Sequence, residues 1–268
     1  MELLDLIRKT PFEWPDSLIH LFAAGSTMHG ATGDKPTDTD IAGVYIQPVE
    51  MILGIDQKRS DGKWFDPDTH VWSTSGDNVR NTADDIDVAL YSLRKWASMA
   101  ATGHTTVLEF LFTKNTLGWA NSTYVWETYI LGNKDKFLSK AAGVKFGEYA
   151  RAQLHAIKGV DKGKHGQRPE LEAQYGYDTK AAMHMLRVLG EGIELMETGN
   201  ITLPRPEAPF LKDVRNGKFA LPDIEALFES RETLLEIAME KSSLRDTIDR
   251  AEISRLITEA QLDFWGMK

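Results

Sequence analysis

The sequence has no cysteine. This excludes a disulfide framework, a thiolate-bound zinc site and a cysteine nucleophile. It also has no apolar run near the roughly 20 residues that span a bilayer. The opening MELLDLIRKT is too short and too charged for a secretory leader. A cytoplasmic protein that does not associate with membranes is expected. Its seven histidines occur singly, without His-Glu-x-x-His or His-x-His, which argues against a histidine zinc site. Neither a G-x-x-x-x-G-K-[ST] phosphate loop nor a G-x-S-x-G nucleophile elbow is present. Positive charge is in deficit too. Lys and Arg total 31 against 40 Asp and Glu, and the net charge of −9 argues against broad, non-specific nucleic-acid binding.

The 268 residues, 42% hydrophobic and 26% charged, suit a globular chain of one large domain or two ordinary ones. Charge is unevenly spread. Between Lys134 and Arg168, nine Lys/Arg stand against Asp135, Glu148 and Asp161, a local net of +6 within a chain of −9. Such a run is either a solvated helix face or an edge turned to a polyanion, such as RNA or a nucleotide's phosphates.

The most informative stretch is SLIHLFAAGSTMHGATGDKPTDTDIAGVYIQP, residues 17–48. An apolar run containing Leu18, Ile19, Leu21 and Phe22 stops at Gly25-Ser26. A loop with Gly33, Asp34 and Pro36 follows, and then Asp38 and Asp40 lead into the apolar run Ile41 to Ile46. The pattern predicts strand, Gly-Ser turn, one helical turn, loop, strand. Alternation puts Asp38 and Asp40 on one face, with Thr39 and Ile41 toward the core. Two adjacent carboxylates repel unless a cation sits between them, and Mg²⁺ takes one or two carboxylates plus phosphate oxygens. Glycine lets the backbone approach a phosphate closely, so Gly25 and Ser26 are candidates to cradle one. The competing reading makes Thr-Asp-Thr-Asp an ordinary turn. His29, near the turn, could contact phosphate or be structural.

Elsewhere, residues 2–9 read as a short amphipathic helix ended by Pro11 and Pro15, and Pro48 opens another short helix. Residues 55–84 are polar, with Asp61-Gly62 a turn candidate and THVWSTS (69–75) a short strand. Residues 85–91 read as a strand with Asp85, Asp87, Ala89 and Tyr91 on one face. Ser92 then caps a helix closed by Gly103, and VLEFLF (107–112) is a strand or short helix. After Gly118 the pattern is helical, with helices predicted over 122–131, 141–158, 178–197, 208–215, 222–239 and 245–264. The stretch 159–169 reads as a loop. The expected fold is α+β: a small mixed-sheet domain over 1–117, then an all-helical domain over 118–268.

Gly25-Ser26 followed at this spacing by Asp38-x-Asp40 between apolar residues resembles the polymerase-beta-like nucleotidyltransferases. Residues 87–112 and 176–207 are similar to a small family of these enzymes encoded beside RNA-repair genes. The resemblance implies NMP transfer from an NTP to an acceptor hydroxyl, with Mg²⁺, or Mn²⁺ in its place, held by Asp38, Asp40 and a third carboxylate from a neighbouring strand. Asp87, between Ile86 and Val88, is the leading candidate and Asp85 the reserve. Lys180, His184 and Arg187 follow at i, i+4 and i+7, one face of a helix, and suit a triphosphate. The alternative is an exposed basic face balanced by Glu191 and Glu194. Tyr177 either stacks on a base or packs. The acceptor stays open between an RNA end, reached through the basic 134–168 region, a protein side chain and a small molecule. A non-catalytic nucleotide-binding module is the reading from another class.

Overall fold

A computed structural model describes residues 10–32, 38–55, 68–75, 85–117, 123–159 and 168–267. The helix expected at 2–9, the loop glycine at 33, the Asp61-Gly62 turn and residues 160–167 lie outside the described residues.

Four strands form one sheet in the order β1-β2-β4-β3. They are β1 (Leu18–Ala23), β2 (Thr39–Tyr45), β3 (Thr69–Ser73) and β4 (Ile86–Ser92). β1 runs antiparallel to β2, β2 parallel to β4, and β3 antiparallel to β4. Between β1 and β2 the chain makes the expected helical turn, α1 (Gly25–His29). Alternation sorts the side chains as period-2 packing requires. Leu21, Ile41, Val88 and Leu90 go to one face, covered by Phe12, Trp14 and Trp72. Phe22, Ala42 and Val44 go to the other, which meets the helices.

After β4 the hydroxyl of Ser92 accepts from the Lys95 amide and starts α2 (Leu93–Ala100). Its end is a Schellman closure: His104 N–H reaches Met99 O at 3.2 Å and Gly103 N–H reaches Ala100 O at 2.9 Å. Gly103, at φ +75°, supplies the left-handed residue this needs. The apolar run at 107–112 is helical, Thr105–Leu108 followed by a tight turn at Glu109–Phe112.

The helical part contains α3 (Lys140–Ile157), α4 (Pro169–Tyr175), α5 (Thr179–Thr198), α6 (Ala208–Arg215), α7 (Leu221–Lys241) and α8 (Arg250–Phe264). α4 falls between the predicted elements, although Pro169 at its start and Glu170 and Glu172 in its first turn are ordinary start signals. The helix expected from 245 begins at Arg250, because the Asp249 carboxylate accepts from the amides of Ala251 and Glu252 and sets the start there. The helix expected over 122–131 is irregular, widening at Trp126–Ile130 and tightening at Leu131–Phe137. α5 is the central helix, packed by α3, α6 and α7. One buried core runs from Ile19, Phe22 and Val44 through Trp96 and Trp126 to Leu186, Val188 and Leu235, so it is shared across residue 117.

Candidate active site

Register brings the acidic residues together. Parallel pairing places Asp40 directly opposite Asp87, and Asp38 lies just before β2. One carboxylate oxygen from each of Asp38, Asp40 and Asp87 lies within 4.8 Å of the others. Asp85 is elsewhere: its carboxylate accepts from Thr74 Oγ1 at 2.6 Å, and it precedes β4. The reserve candidate therefore does not join the cluster, and Asp87 does.

The Gly-Ser turn is built around Asp40. Gly25 has φ +61°, and a Cβ added there would fall 1.9 Å from Asp40 Oδ2, so only glycine lets the carboxylate lie so close to the backbone. The amides of Ser26 and Thr27 follow in the first turn of α1, where no intrahelical acceptor exists. Burial, then the charges of Asp38 and Asp87, push the Asp40 carboxyl up from 3.8 to about 6. Such crowding by like charge is what a bound cation relieves. An all-oxygen donor set fits a hard divalent ion.

A cavity of about 410 Å³ opens beside the cluster, lined by Gly25, Ser26, Asp38 and Asp40 on one side. Arg168, Lys180 and Arg215 line the other, with Tyr149 and His184. Burial and the nearby Arg168 and Arg215 lower the Lys180 ammonium, while Asp38 and Asp40 oppose that shift. Arg215 is likewise lowered by burial and by Arg168. Its Nη1 is buried without a hydrogen-bond partner among the described residues. Lys180, Arg168 and Arg215, with Glu172 and with Asp178 held by Arg168 at 3.0 Å, leave this side of the cavity net positive, as a polyphosphate needs. Lys180 was readable from helical spacing. Arg168 and Arg215 come from separate elements, and nothing local in the sequence connects them.

The other two members of the predicted basic stripe behave differently. Arg187 is 5% exposed, and its Nη1 donates to Glu109 Oε1 at 2.9 Å and Glu191 Oε1 at 2.6 Å. Its Nη2 donates to His184 Nδ1 at 2.8 Å. The guanidinium is thus committed to a buried network and is not a fork offered to phosphate. An arginine can only donate, so His184 Nδ1 accepts and the ring proton sits on Nε2, facing Tyr149 Oη at 2.8 Å. Burial and then Arg187 depress the His184 imidazolium to about 3, so it is neutral and adds no positive charge. All three residues of the predicted stripe line the cavity, Lys180 as a cation, His184 as a neutral hydrogen-bonding ring and Arg187 from within the buried network. The exposed basic face balanced by Glu191 fails, because Arg187 and Glu191 are both buried.

His29 completes the network, 3.3 Å from Arg187 Nη1 and from Glu191 Oε1, and 3.5 Å from Glu109 Oε2. It is structural, lowered by burial and by Arg187. Burial and the neighbouring Glu191 raise Glu109, whereas Arg187 overcomes burial to lower Glu191. With Glu109 protonated, one carboxylate offsets one guanidinium and the cluster is neutral. A lone glutamate inside VLEFLF was the signal for this network, since a charge in an apolar run needs a buried partner. Tyr177 packs: it is 1% exposed and donates to Phe219 O at 2.9 Å.

In the 134–168 stretch the described cations have partners. Lys134 lies over the Phe112 ring at 3.7 Å. Lys136 pairs with Glu252, Lys140 with Asp246, Lys145 with Glu148, Arg151 with Glu232, Lys158 with Glu225 and Arg168 with Asp178. Lys162 and Lys164 lie outside the described residues. Among the described residues, no helix is long and apolar enough to cross a membrane.

The family model for RlaP, the RNA repair pathway DNA polymerase beta family, matches residues 2–264. No curated protein matches the sequence. One similar solved structure is a nucleotidyltransferase-like protein from Exiguobacterium sibiricum 255-15, at 11% identity and a TM-score of 0.25. The alignment covers 93% of this chain and 73% of that one.

Proposed function

We propose metal-assisted transfer of an NMP from an NTP to an acceptor hydroxyl for this chain, which belongs to the RNA repair pathway DNA polymerase beta family and is a nucleotidyltransferase. The convergence of Asp38, Asp40 and Asp87 within 4.8 Å carries the reading. These three carboxylates would hold Mg²⁺, or Mn²⁺ in its place. When bound, such ions acidify an attacking hydroxyl and neutralise a triphosphate.

The chain's own residues supply the rest. Lys180, Arg168 and Arg215 draw the triphosphate into the cation-lined cavity, and the Ser26 amide and hydroxyl face its oxygens from the Gly-Ser turn. Tyr149 Oη accepts from His184, which leaves its own hydrogen to donate to the nucleotide. Arg187 acts through others: with Glu109 and Glu191 it fixes His184 and anchors His29 at the end of α1. The acceptor oxygen bonds to the α-phosphorus, the bond from that phosphorus to the bridging oxygen breaks, and pyrophosphate leaves. The hydroxyl proton passes to Asp87 and then to solvent. Positioning and charge neutralisation supply most of the rate enhancement.

An RNA end is the favoured acceptor, supported by the RNA-repair description of the family. The test is incubation with each labelled NTP and Mg²⁺ or Mn²⁺, following pyrophosphate release while RNA, protein, small hydroxyl compounds and the chain itself are offered as acceptors. Transfer that is lost in EDTA and in the Asp38→Asn, Asp40→Asn double variant is expected. Nucleotide binding without turnover under every condition would mean a non-catalytic module.

A further inference from the structure

The carboxylates divide two cavities. Asp38 lines only the cation-lined one, Asp87 lines only the second, and Asp40 and Gly25 line both. The second cavity, about 520 Å³, has a floor set by strand register. Asp40 pairs with Asp87 and Asp87 with Ser73, which makes one polar row across the sheet. Two residues along, Phe22, Ala42, Ala89 and Val71 form the next row on the same face.

That second row is low and apolar. Ala42 is buried at the inner end of the row, Ala89 is half-buried and rises little above the backbone, and Val71 is 74% exposed on the edge strand. The open part, Ala89 to Val71, covers one strand spacing, roughly 5 Å. Tyr91 and Phe110 back the shelf, with Thr106 at its rim. Among the described residues lining this cavity, Arg187 is the only Arg or Lys, and it is committed to Glu109, Glu191 and His184. On these residues a phosphate would meet the carboxylates of Asp40 and Asp87. A flat, neutral group is what this shelf fits.

We propose that the second cavity is the acceptor subsite and receives the terminal unpaired nucleoside of a single-stranded RNA end. The base lies on the Ala89–Val71 shelf and a ribose hydroxyl faces Asp87. The assignment rests on the transferase reading of the carboxylates and adds to it where the RNA end binds and from which side it enters. Sequence-tolerant stacking is expected, because every base offers a flat face.

The test uses the full chain with Mg²⁺ and a single-stranded RNA oligonucleotide ending in 4-thiouridine with a free 3′-hydroxyl. Photocrosslinks should map to peptides containing residues 69–73 or 86–92. Ala89→Leu fills the shelf and should weaken crosslinking and raise the acceptor KM by about tenfold to a hundredfold, the range of one lost stacking contact. Affinity for labelled NTP, by equilibrium dialysis, should stay within about twofold by the same separation of cavities. NTP binding retained by Ala89→Leu shows that the variant is folded and that the loss is confined to the acceptor.

Crosslinks elsewhere, no crosslink, NTP affinity falling in step with the acceptor, or transfer only to protein or small molecules would overturn the assignment. Crosslinking needs no turnover, so the two readings fail separately. Transfer surviving Asp38→Asn and Asp40→Asn would remove the catalytic reading and leave a mapped RNA contact standing.

Discussion

Replacing Asp40 by asparagine should stabilise the metal-free protein while abolishing transfer. The side chain keeps its shape and loses a charge that burial, Asp38 and Asp87 all disfavour. Its carboxyl is pushed up from 3.8 to about 6. At 1.36 kcal/mol per unit, this makes ionised Asp40 unfavourable by about 3 kcal/mol. Part of the group still meets solvent, and screening reduces the figure to about 1–2 kcal/mol. For a chain of 268 residues this corresponds to a Tm increase of about 2–4 °C. The pH dependence has a definite sign. A raised carboxyl favours the folded state while protonated, so wild type and variant should match near pH 4. The gap opens between pH 4 and 6 as wild-type Asp40 ionises, and it is constant above. The assay is thermal unfolding in EDTA from pH 4 to 8, repeated in Mg²⁺, where wild type should recover the difference and the variant should gain less. A variant equal to or less stable than wild type in EDTA at pH 7.5, or one that still transfers nucleotide, would refute the reasoning.

Three further outcomes are expected. Arg187→Met leaves Glu191 buried without its counter-charge and should cost about 3–5 kcal/mol. Adding Glu191→Gln should recover more than half, and a single variant that melts within 1 °C of wild type in calorimetry would contradict the buried network (about 0.5 kcal/mol on this scale). Gly25→Ala drives a methyl into Asp40 and strains a left-handed residue, so kcat should fall about 10²-fold in steady-state kinetics. Lys180→Met removes a cation beside the triphosphate and should raise the NTP KM about tenfold to a hundredfold. Its melting temperature should barely move, and an unchanged KM would place the phosphates elsewhere.

Local chemistry made much of the fold legible. Alternating apolar residues bounded by Gly25-Ser26 and by Asp38 marked β1 and β2, and Ser92 and Gly103 marked the two ends of α2. Ala208 to Arg215 was read as a helix with the bounds it has. Long-range pairing was not legible. That β2 lies parallel to β4 with Asp40 opposite Asp87 depends on register, which no residue in either strand announces. Helical spacing correctly put Lys180, His184 and Arg187 on one side of α5. It could not say what stands opposite each: a cavity for Lys180, but Glu109 from the sheet half for Arg187. Arg168 and Arg215 belong to the same class, since their meeting is a product of tertiary packing alone.

The arrangement around Arg187 also bears on selectivity between ions. His29, Glu109 and Glu191 present donor atoms as tightly gathered as those of the aspartate triad, and an imidazole with two carboxylates would attract zinc. The guanidinium nitrogen already stands among them, so that nest is plugged by the chain itself. Of the two gathered donor sets among the described residues, only that of the aspartates is left without a cation of the chain standing inside it.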